Sequence, residues 1–340
     1  LLDNVPGARE RANRGELVKL RPDEMAAQVV KALLASSGVD PATIEDIVVG
    51  CAFPEGEQGL NVAKLIGFIA GLPESVAGAT VNRFCGSSMQ SVHQAAGAIR
   101  MGAGEAFLCA GVESMSRVPM MGFNPMPHPG LVKDYPQALI SMGETAENVA
   151  RRYQVTRGDQ EGFAVRSHAK ATAAQAAGKL TDEIVPMQVS GKTVAQDGCI
   201  RPDTSAEGLS GLKPAFRADG TVTAGTSSPL TDGATAVLVC SAEYAQRHGL
   251  TPLARVKSIA VAGCAPEIMG MGPVEATKKA LARAGIAAKD LDVVELNEAF
   301  ASQAIACMRE LGIDEAKVNL DGGAIALGHP LGASGTKLMT

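Results

Sequence analysis

The sequence has no run of lysine or arginine, no long apolar stretch and no Cys-x-x-Cys pair. Its net charge is −5, whereas a nucleic-acid or membrane-surface partner would need a concentrated basic face, so neither partner is expected. The longest apolar run, residues 65–72, is far too short to span a bilayer. The absence of paired cysteines argues against a structural zinc site, and no metal is expected.

Seven cysteines are scattered along the chain, which suits a reducing compartment in which thiols stay free. Most of them are expected to be small buried residues of the core, the usual fate of cysteine. Hydrophobic residues make up 46% of the chain and charged residues 20%, so there is enough apolar material for a sizeable globular core. The question for function is whether one cysteine departs from the structural role.

Glycines separate helix-like from strand-like runs, which predicts an α/β fold. A helix is expected from Pro22 to Gly38, followed by a short apolar strand at residues 47–49. Six positions of this helix–turn–strand unit recur 247 residues later in one register. They are Lys31, Leu34, Gly38, Val39, Ile44 and Ile47, which return as Lys278, Leu281, Gly285, Ile286, Leu291 and Val294. The repeat predicts two duplicated α/β halves, with a functional site where matching strand ends meet.

The repeat divides the chain into three predicted parts. Residues 1–115 together with residues 229–250 form the first half of the core, and residues 251–340 form the second half. Residues 116–228 are an insertion that opens with a run rich in proline and methionine, and long insertions of this kind often cover a site. The first fifteen residues show no strand pattern, and both ends of the sequence are expected to be cut.

Cys85 is the first candidate for chemistry. Residues 80–84 read as a strand and residues 89–99 as a helix, so Cys85 lies on a strand-to-helix turn at a helix N-terminus. There the helix dipole and the free backbone N–H groups favour a thiolate, and the pKa of the thiol is expected to fall. A buried structural cysteine at a tight turn is the alternative of equal weight.

His329 is the second candidate, because glycines surround it and Pro330 follows it. Glycines allow close approach by a substrate or another loop, and the proline fixes the direction of the ring. A phosphate-binding loop is the competing interpretation, but residues 321–335 contain neither Gly-x-Gly-x-x-Gly nor Lys followed by Ser or Thr. A histidine available to a cysteine elsewhere in the fold is what nucleophilic catalysis requires.

Asn297 and Glu298 are the third candidates, directly after residues 293–296, which read as a strand. They occupy the repeat position at which the first half has Gly50 and Cys51. A polar pair in place of Gly-Cys at a strand end indicates that one half was specialised. A helix cap is the alternative role for Asn297.

Taken together, these motifs resemble the signature loops of the thiolase family. Three segments match in order and spacing and two more support them: residues 82–88, 297–300, 328–330, 111–116 and 228–233. The resemblance covers essentially the whole chain and implies that family's duplicated, layered α/β/α/β/α fold with an inserted loop domain. The family's fourth loop, Cys-x-Gly, and its first strand, ahead of Arg11, are not recognised, so a truncated form of the family pattern is expected.

The resemblance implies acyl transfer between coenzyme A thioesters. Cys85 would be the acylated nucleophile, with its own backbone N–H in the first oxyanion hole. His329 would activate the thiol, Asn297 would hold a water for a second oxyanion site, and Glu298 would support the loop. The acid for the departing enolate would come from the Cys-x-Gly loop. Coenzyme A is then a substrate, and no cofactor is expected.

By the same resemblance, the insertion would carry the coenzyme A site. Arg201 would face the nucleotide phosphates, for which its forked donors are suited, and Phe216 would pack near the adenine or the pantetheine. Ser228 would bond the pantetheine, and Met142 would belong to the acyl-pocket loop. Each of these could equally be a surface or core residue. Ser141 stands where short-chain members tend to have histidine, which favours a pocket open to longer chains.

These features favour thiolytic cleavage of 3-ketoacyl-CoA in β-oxidation over an acetyl-CoA acetyltransferase that makes or cleaves acetoacetyl-CoA. A condensing ketoacyl synthase would be expected to have a second histidine in place of Asn297. A non-catalytic acyl-CoA-binding relative would be expected to lack Cys85 or His329. The expected partners are acyl-CoA, coenzyme A and further copies of the chain in a homodimer or homotetramer. The expected compartment is the cytoplasm if the chain is bacterial, with the peroxisome and the mitochondrial matrix left open.

Overall fold

The computed structural model describes residues 2–340 and confirms the α/β class. The strands of this range are β1 (Leu2–Pro6), β2 (Glu10–Arg11), β3 (Asp46–Gly50), β4 (Ala77–Val81), β5 (Ala106–Ser114), β6 (Met187–Val189), β7 (Lys192–Val194) and β8 (Thr231–Cys240). The α-helices are α1 (Pro22–Ser37), α2 (Val62–Ala70), α3 (Ser87–Arg100), α4 (Pro129–Asp134), α5 (Met142–Arg152), α6 (Arg157–Ala176), α7 (Ala206–Ser210), α8 (Ala242–Arg247), α9 (Gly272–Ala284), α10 (Ala301–Leu311), α11 (Ala324–Leu327) and α12 (Ser334–Lys337).

One mixed sheet organises the first half. β3 pairs in parallel with β4 on one side and with β5 on the other, and β8 adds antiparallel to β5. β1 and β2 pair antiparallel with successive parts of β8, which gives the order β1-β8-β5-β3-β4 with β2 following β1 along the same edge of β8. Helices α1 and α2 bury one face of this sheet and α3 buries the other, so β3 and β5 are apolar on both faces.

The strands β1 and β2 lie in the region where the sequence shows no strand pattern, so that expectation is wrong. The sequence Leu-Asp-Asn-Val-Pro of β1 contains three residue types that disfavour strands locally. Pairing with β8 supplies the order that local propensity does not. The sequence signal is missing because a strand at the edge of a sheet does not need apolar residues on both faces.

The two copies of the repeat share their helix and their turn. Helix α1 ends at Gly38 and helix α9 at Gly285, and both glycines have positive φ, 65° and 71°. A short 3₁₀ helix follows in each copy, Pro41–Thr43 in the first and Ala288–Asp290 in the second. The duplication predicted from the sequence is therefore present in the conformation of these residues.

The strand that follows the turn differs between the copies. The first copy continues into β3, whereas the strand expected at residues 293–296 is reduced to a single parallel bridge between Val294 and Val318. The Asn319 side chain replaces part of the missing ladder, because its Oδ1 accepts from Leu296 N–H and its Nδ2 donates to the Leu296 carbonyl, both at 2.8 Å. The strand prediction is wrong here because no neighbouring strand is present in the described range to complete a ladder.

The insertion packs against the second half. Val149 of α5 and Phe163 of α6 share one apolar cluster with Ala304 and Cys307 of α10. The division of the chain at residues 115, 228 and 250 stays a prediction, since packing alone does not set domain boundaries. Within residues 2–340, no helix combines the length and the apolar character needed to cross a membrane.

Candidate active site

The predicted strand-to-helix turn at Cys85 is confirmed. Strand β4 ends at Val81, a single 3₁₀ turn covers Phe84–Gly86, and α3 begins at Ser87. Ser87 closes the turn, because its Oγ accepts from Arg83 N–H at 2.8 Å and donates to the Phe84 carbonyl at 2.6 Å. Cys85 is therefore held two residues ahead of the helix.

The thiol of Cys85 has the opposite electrostatics to those expected. Its side chain is half-buried and packs against an apolar cluster formed by Ala52, Met115 and Leu331. Burial and the charge of Glu113 raise the pKa of Cys85 to about 12, against the effect of its own backbone N–H. The expectation of a lowered pKa is wrong because desolvation outweighs the helix N-terminus. The cysteine is a thiol at neutral pH and needs a base.

His329 has the form such a base requires. Its Nδ1 lies 2.5 Å from Ser334 Oγ, and that hydroxyl donates to the Pro330 carbonyl at 3.1 Å. A hydroxyl has one proton, so Nδ1–H donates to Ser334 and Nε2 carries the lone pair, 3.3 Å from Asn297 Nδ2. His329 is buried, which lowers its pKa to about 4. The imidazole is neutral at physiological pH, and Nε2, which faces the Asn297 amide, is the nitrogen that can accept a proton.

Glu298 is a buried carboxylate that ties three segments together. It accepts from Ser167 Oγ of the insertion at 2.7 Å and from Asn319 Nδ2 at 2.8 Å. It also accepts from the backbone N–H of Ile325 in α11 at 3.2 Å. Burial raises its pKa, and these donors act in the opposite direction. Its contacts are those of a residue that supports the Asn297 loop.

Asn297 itself does not cap a helix. The residue that precedes α10 is Phe300, and no side chain caps that helix end. The cap alternative is therefore wrong, and the Asn297 amide instead lies beside His329.

The Cys85 and His329 turns meet through packing. Cys85 packs against the cluster that includes Leu331, two residues after His329. Thr336 N–H donates to Ser88 Oγ at 2.9 Å where α12 crosses the start of α3. In residues 2–340 no hydrogen bond joins the Cys85 sulfur to the imidazole. The turn that carries the thiol and the turn that carries the neutral base therefore pack against each other.

Three of the four residues predicted to bind coenzyme A or the acyl chain lie near the Asn297 loop. The Phe216 ring meets Phe300 edge-on, with centroids 5.9 Å apart. Ser228 donates to the Ala299 carbonyl through both its N–H, at 3.0 Å, and its Oγ, at 3.2 Å. Met142 begins α5 and is 41% exposed, beside the glycine on which the Phe216 ring lies.

Arg201 lies in a different cluster. Its backbone N–H donates to His168 Nδ1 at 3.2 Å, and Arg11 lies close enough for its charge to act on Arg201. Burial and the charge of Arg11 lower the pKa of Arg201. Its Nε is buried without a hydrogen-bond partner among the described residues, so this guanidinium retains an unused donor.

The sequence did not indicate three residues that shape the site, namely Ser334, Asn319 and Glu113. Asn319 stands in a second echo of the repeat, which pairs it with Asn82, and that echo is a usable signal. Ser334 follows His329 by five residues, too far for a local rule to connect them. Glu113 is the penultimate residue of a strand that is buried along its whole length, where a charged residue has no local explanation.

Comparison with known proteins gives matches along the whole chain. The family model described as "Thiolase, N-terminal domain" matches residues 6–243, and "Thiolase, C-terminal domain" matches residues 250–340. The 3-ketoacyl-CoA thiolase of Bacillus subtilis is 51% identical over 350 residues, which cover 98% of this chain and 90% of the relative. Proteins of the same name from Pseudoalteromonas translucida and Idiomarina loihiensis are 50% and 49% identical, over 100% of this chain and 90% of each relative.

Proposed function

The chain belongs to the thiolase family and is a thiolytic acyl-CoA C-acyltransferase, and from this premise we propose that Cys85 carries the acyl group. One observation carries the proposal: a protonated thiol and a neutral imidazole lie on turns that pack together. Neither group suffices alone, since the thiol needs a base and the base needs a nucleophile to activate.

In the first half-reaction the Cys85 thiol gives its proton to His329 Nε2, and its sulfur attacks the 3-keto carbonyl of the substrate. The adjacent carbon–carbon bond breaks, the shortened acyl chain stays on Cys85 as a thioester, and the enolate takes a proton from a general acid and leaves as acetyl-CoA. In the second half-reaction the thiol of free coenzyme A gives its proton to the conjugate base of that acid and attacks the acyl-cysteine. Acyl-CoA forms, and the departing Cys85 thiolate takes back the proton that His329 Nε2 has held.

The proposed supporting roles follow from the contacts. The backbone N–H of Cys85 stabilises the oxyanion that forms when its own sulfur is attached to substrate. Asn297 and His329, whose Nε2 then carries the proton taken from Cys85, stabilise the oxyanion of the thioester in the other half-reaction, and Glu298 holds the Asn297 loop. Coenzyme A enters as a substrate, and we propose no resident cofactor.

Acyl transfer through Cys85 is tested with isotope-labelled acetyl-CoA and peptide mass spectrometry. We expect label on Cys85 and none in a Cys85→Ser variant. Cys264 is the exposed cysteine of the described residues, and Cys264→Ser serves as the control for adventitious acylation. Label on Cys264 or on another cysteine, with Cys85 free, would refute the assignment.

We propose that the acyl pocket accepts longer chains, as the name of the relatives suggests. Ser141 is small and caps α5, since its Oγ accepts from Glu144 N–H at 3.3 Å. It leaves the apolar side chains of Met142 and Phe216 exposed. Each methylene buried against them contributes about 0.8 kcal/mol, so several carbons should raise kcat/KM substantially.

The chain-length proposal is tested by comparing kcat/KM for acetoacetyl-CoA and 3-ketooctanoyl-CoA. We expect the longer substrate to be preferred, and Ser141→His to reduce that preference. Activity confined to acetoacetyl-CoA would instead favour the acetyl-CoA acetyltransferase alternative.

We propose that Arg201 and Arg11 attract the phosphates of coenzyme A, which supports placing its nucleotide on the insertion. The unused Arg201 Nε and two neighbouring positive charges support this role. Arg201→Gln should raise KM for coenzyme A esters about tenfold, with little change in kcat. An unchanged KM would contradict the assignment.

We also propose a homodimer formed through β4, which lies at one edge of the sheet and pairs only with β3 among the described residues. Leu60 and Phe84 are 89% and 60% exposed and have positive φ, and apolar side chains held out in this way suit an interface. Light scattering should give twice the mass of the chain, and a Phe84→Lys variant should weaken association.

The bacterial origin of the relatives supports a bacterial cytoplasm as the proposed compartment.

A further inference from the structure

Glu113 is a buried carboxyl group without a part in the chemistry above. It lies next to the end of β5 and is fully buried. Its Oε2 accepts from the N–H groups of Ala52 at 2.8 Å and Gly332 at 2.9 Å. Its Oε1 accepts from Gln58 Nε2 at 2.7 Å and from Phe53 N–H at 3.3 Å. These donors come from segments that are far apart in the sequence.

Every one of these partners donates, so the site matches a carboxylate. Gln58 cannot reverse its amide, because its Oε1 accepts from Ser114 N–H at 2.6 Å while its Nε2 also donates to the Phe53 carbonyl at 2.9 Å. Burial raises the pKa of Glu113, and the four N–H donors act against that rise. Losing the carboxylate would leave buried N–H groups without acceptors.

One donor belongs to the His329 turn, and another lies beside the Cys85 turn. Gly332 follows His329 by three residues, and Ala52 is part of the apolar cluster against which Cys85 packs. Gly332 comes so close that a Cβ on it would lie 2.9 Å from Glu113 Oε2. One carboxylate oxygen therefore bridges the backbone beside the nucleophile and the backbone beside the base.

We propose that Glu113 is a positioning residue that holds the Cys85 and His329 turns at the separation required for acyl transfer. The inference rests on the proposed role of Cys85. The same negative charge disfavours the Cys85 thiolate, so the thiol ionises when His329 takes its proton and not before. Glu113 thus has two effects that a purely structural residue would not combine. It speeds the acylation of Cys85 by substrate, and it slows the alkylation of Cys85 by small reagents.

The test uses Glu113→Gln, which keeps the size of the side chain and removes its charge and one acceptor. A misplacement of about 1 Å can cost about 100-fold, so we expect Cys85 acylation in a single turnover to slow by about 30- to 100-fold. KM for 3-ketoacyl-CoA should stay within about threefold, because Glu113 faces the interior and not the substrate. Alkylation of Cys85 by iodoacetamide at neutral pH should become several-fold faster.

Glu147→Gln is the matched control. Glu147 is also buried and accepts from the backbone N–H groups of Thr221 at 3.0 Å and Val222 at 2.9 Å, away from both turns. The Glu147→Gln variant should lose about as much thermal stability as Glu113→Gln, and its rate constants of acylation and alkylation should stay unchanged. If Glu113→Gln behaves like Glu147→Gln in both rates, the positioning role is overturned.

Two further outcomes keep the inference decidable. If Glu113→Gln does not fold, Glu113→Asp replaces it: this variant keeps the charge but is too short to bridge both turns, so acylation should slow while alkylation stays unchanged. Acylation at the native rate in Glu113→Asp would overturn the proposal. If the unmodified protein itself forms no acyl-Cys85, the proposed function fails first, which is a separate result.

Discussion

In the first copy of the repeat, β3 is hydrogen-bonded on both sides, by β4 and by β5. In the second copy the matching residues have one bridge, and the side chain of Asn319, itself held by Glu298, completes their hydrogen bonding. Backbone ladders place no demand on side chains, so the first strand can end in Gly50-Cys51. Side-chain hydrogen bonds do place such a demand, and the second copy has Asn-Glu at that point. In the second copy, polar side chains thus stand in place of backbone pairing, next to the residues proposed to carry out the chemistry.

The largest expected difference in stability between the two copies concerns Glu298 and Cys51, which occupy matching positions. Glu298→Ala removes the acceptor of three buried donors and should lower the free energy of unfolding by about 4 kcal/mol. Cys51→Ala removes only a buried sulfur and should cost about 1 kcal/mol. Urea unfolding measures both values. Equal losses would show that the second copy does not depend on its carboxylate.

Lowering the pH should destabilise the second copy before the first. Below pH 6.5 the unfolded chain binds a proton at His329, whereas the folded chain binds it only near pH 4. The contribution of neutral His329 is therefore fully present above pH 6.5 and is lost, by about 3 kcal/mol, as the pH falls toward 4. Hydrogen exchange should show α11 losing protection before β3.

A His329→Asn variant provides the control for this pH effect. His168 has its pKa lowered to about 4 as well, so part of the acid sensitivity should survive in the variant. The difference between the two pH profiles isolates His329. Superimposable profiles would mean that this histidine is not held neutral in the folded chain.

The two echo asparagines sharpen the comparison. Asn319 is buried and bonds to Leu296 twice and to Glu298 once, so Asn319→Ala should cost about 2 kcal/mol. Asn82 is exposed and makes two bonds, to the Ala52 carbonyl and from Phe84 N–H, so Asn82→Ala should cost less than about 1 kcal/mol. Thermal unfolding of the two variants compares these losses. The reverse order would contradict the view that side chains replace the ladder in the second copy.

The smallest expected effect concerns the helix-ending glycine, a feature that the two copies share. Gly38→Ala and Gly285→Ala each place a side chain at positive φ with open space around it, so each should cost about 1 kcal/mol. Gly97→Ala is the control, because this helical glycine has ordinary φ and equal room, and the change should stabilise α3 by about 0.5 to 1 kcal/mol. Unequal losses of stability at Gly38 and Gly285 would show that the two copies are alike in sequence but not in energetics.

The features predicted correctly from the sequence are those set by nearby residues. The Cys85 turn follows from a strand and a helix that meet there, and the end of α9 follows from Gly285. The features predicted wrongly depend on distant partners. β1 needs β8, and the thiol pKa depends on burial and on Glu113, a residue on another strand. No local rule weighs the helix N-terminus against these two effects, so the sign of the shift required the fold.

The order of the sheet also constrains how the chain is made. Strand β8 lies between β1 and β5, yet Ser114 and Asp232, which meet at the end of that pairing, are 118 residues apart in the sequence. During synthesis β1 and the β8-facing edge of β5 stay open until the whole insertion has left the ribosome. Closing so long a loop is slow, and open strand edges invite association with other chains. The nascent first half should therefore depend on chaperones until residue 240 emerges.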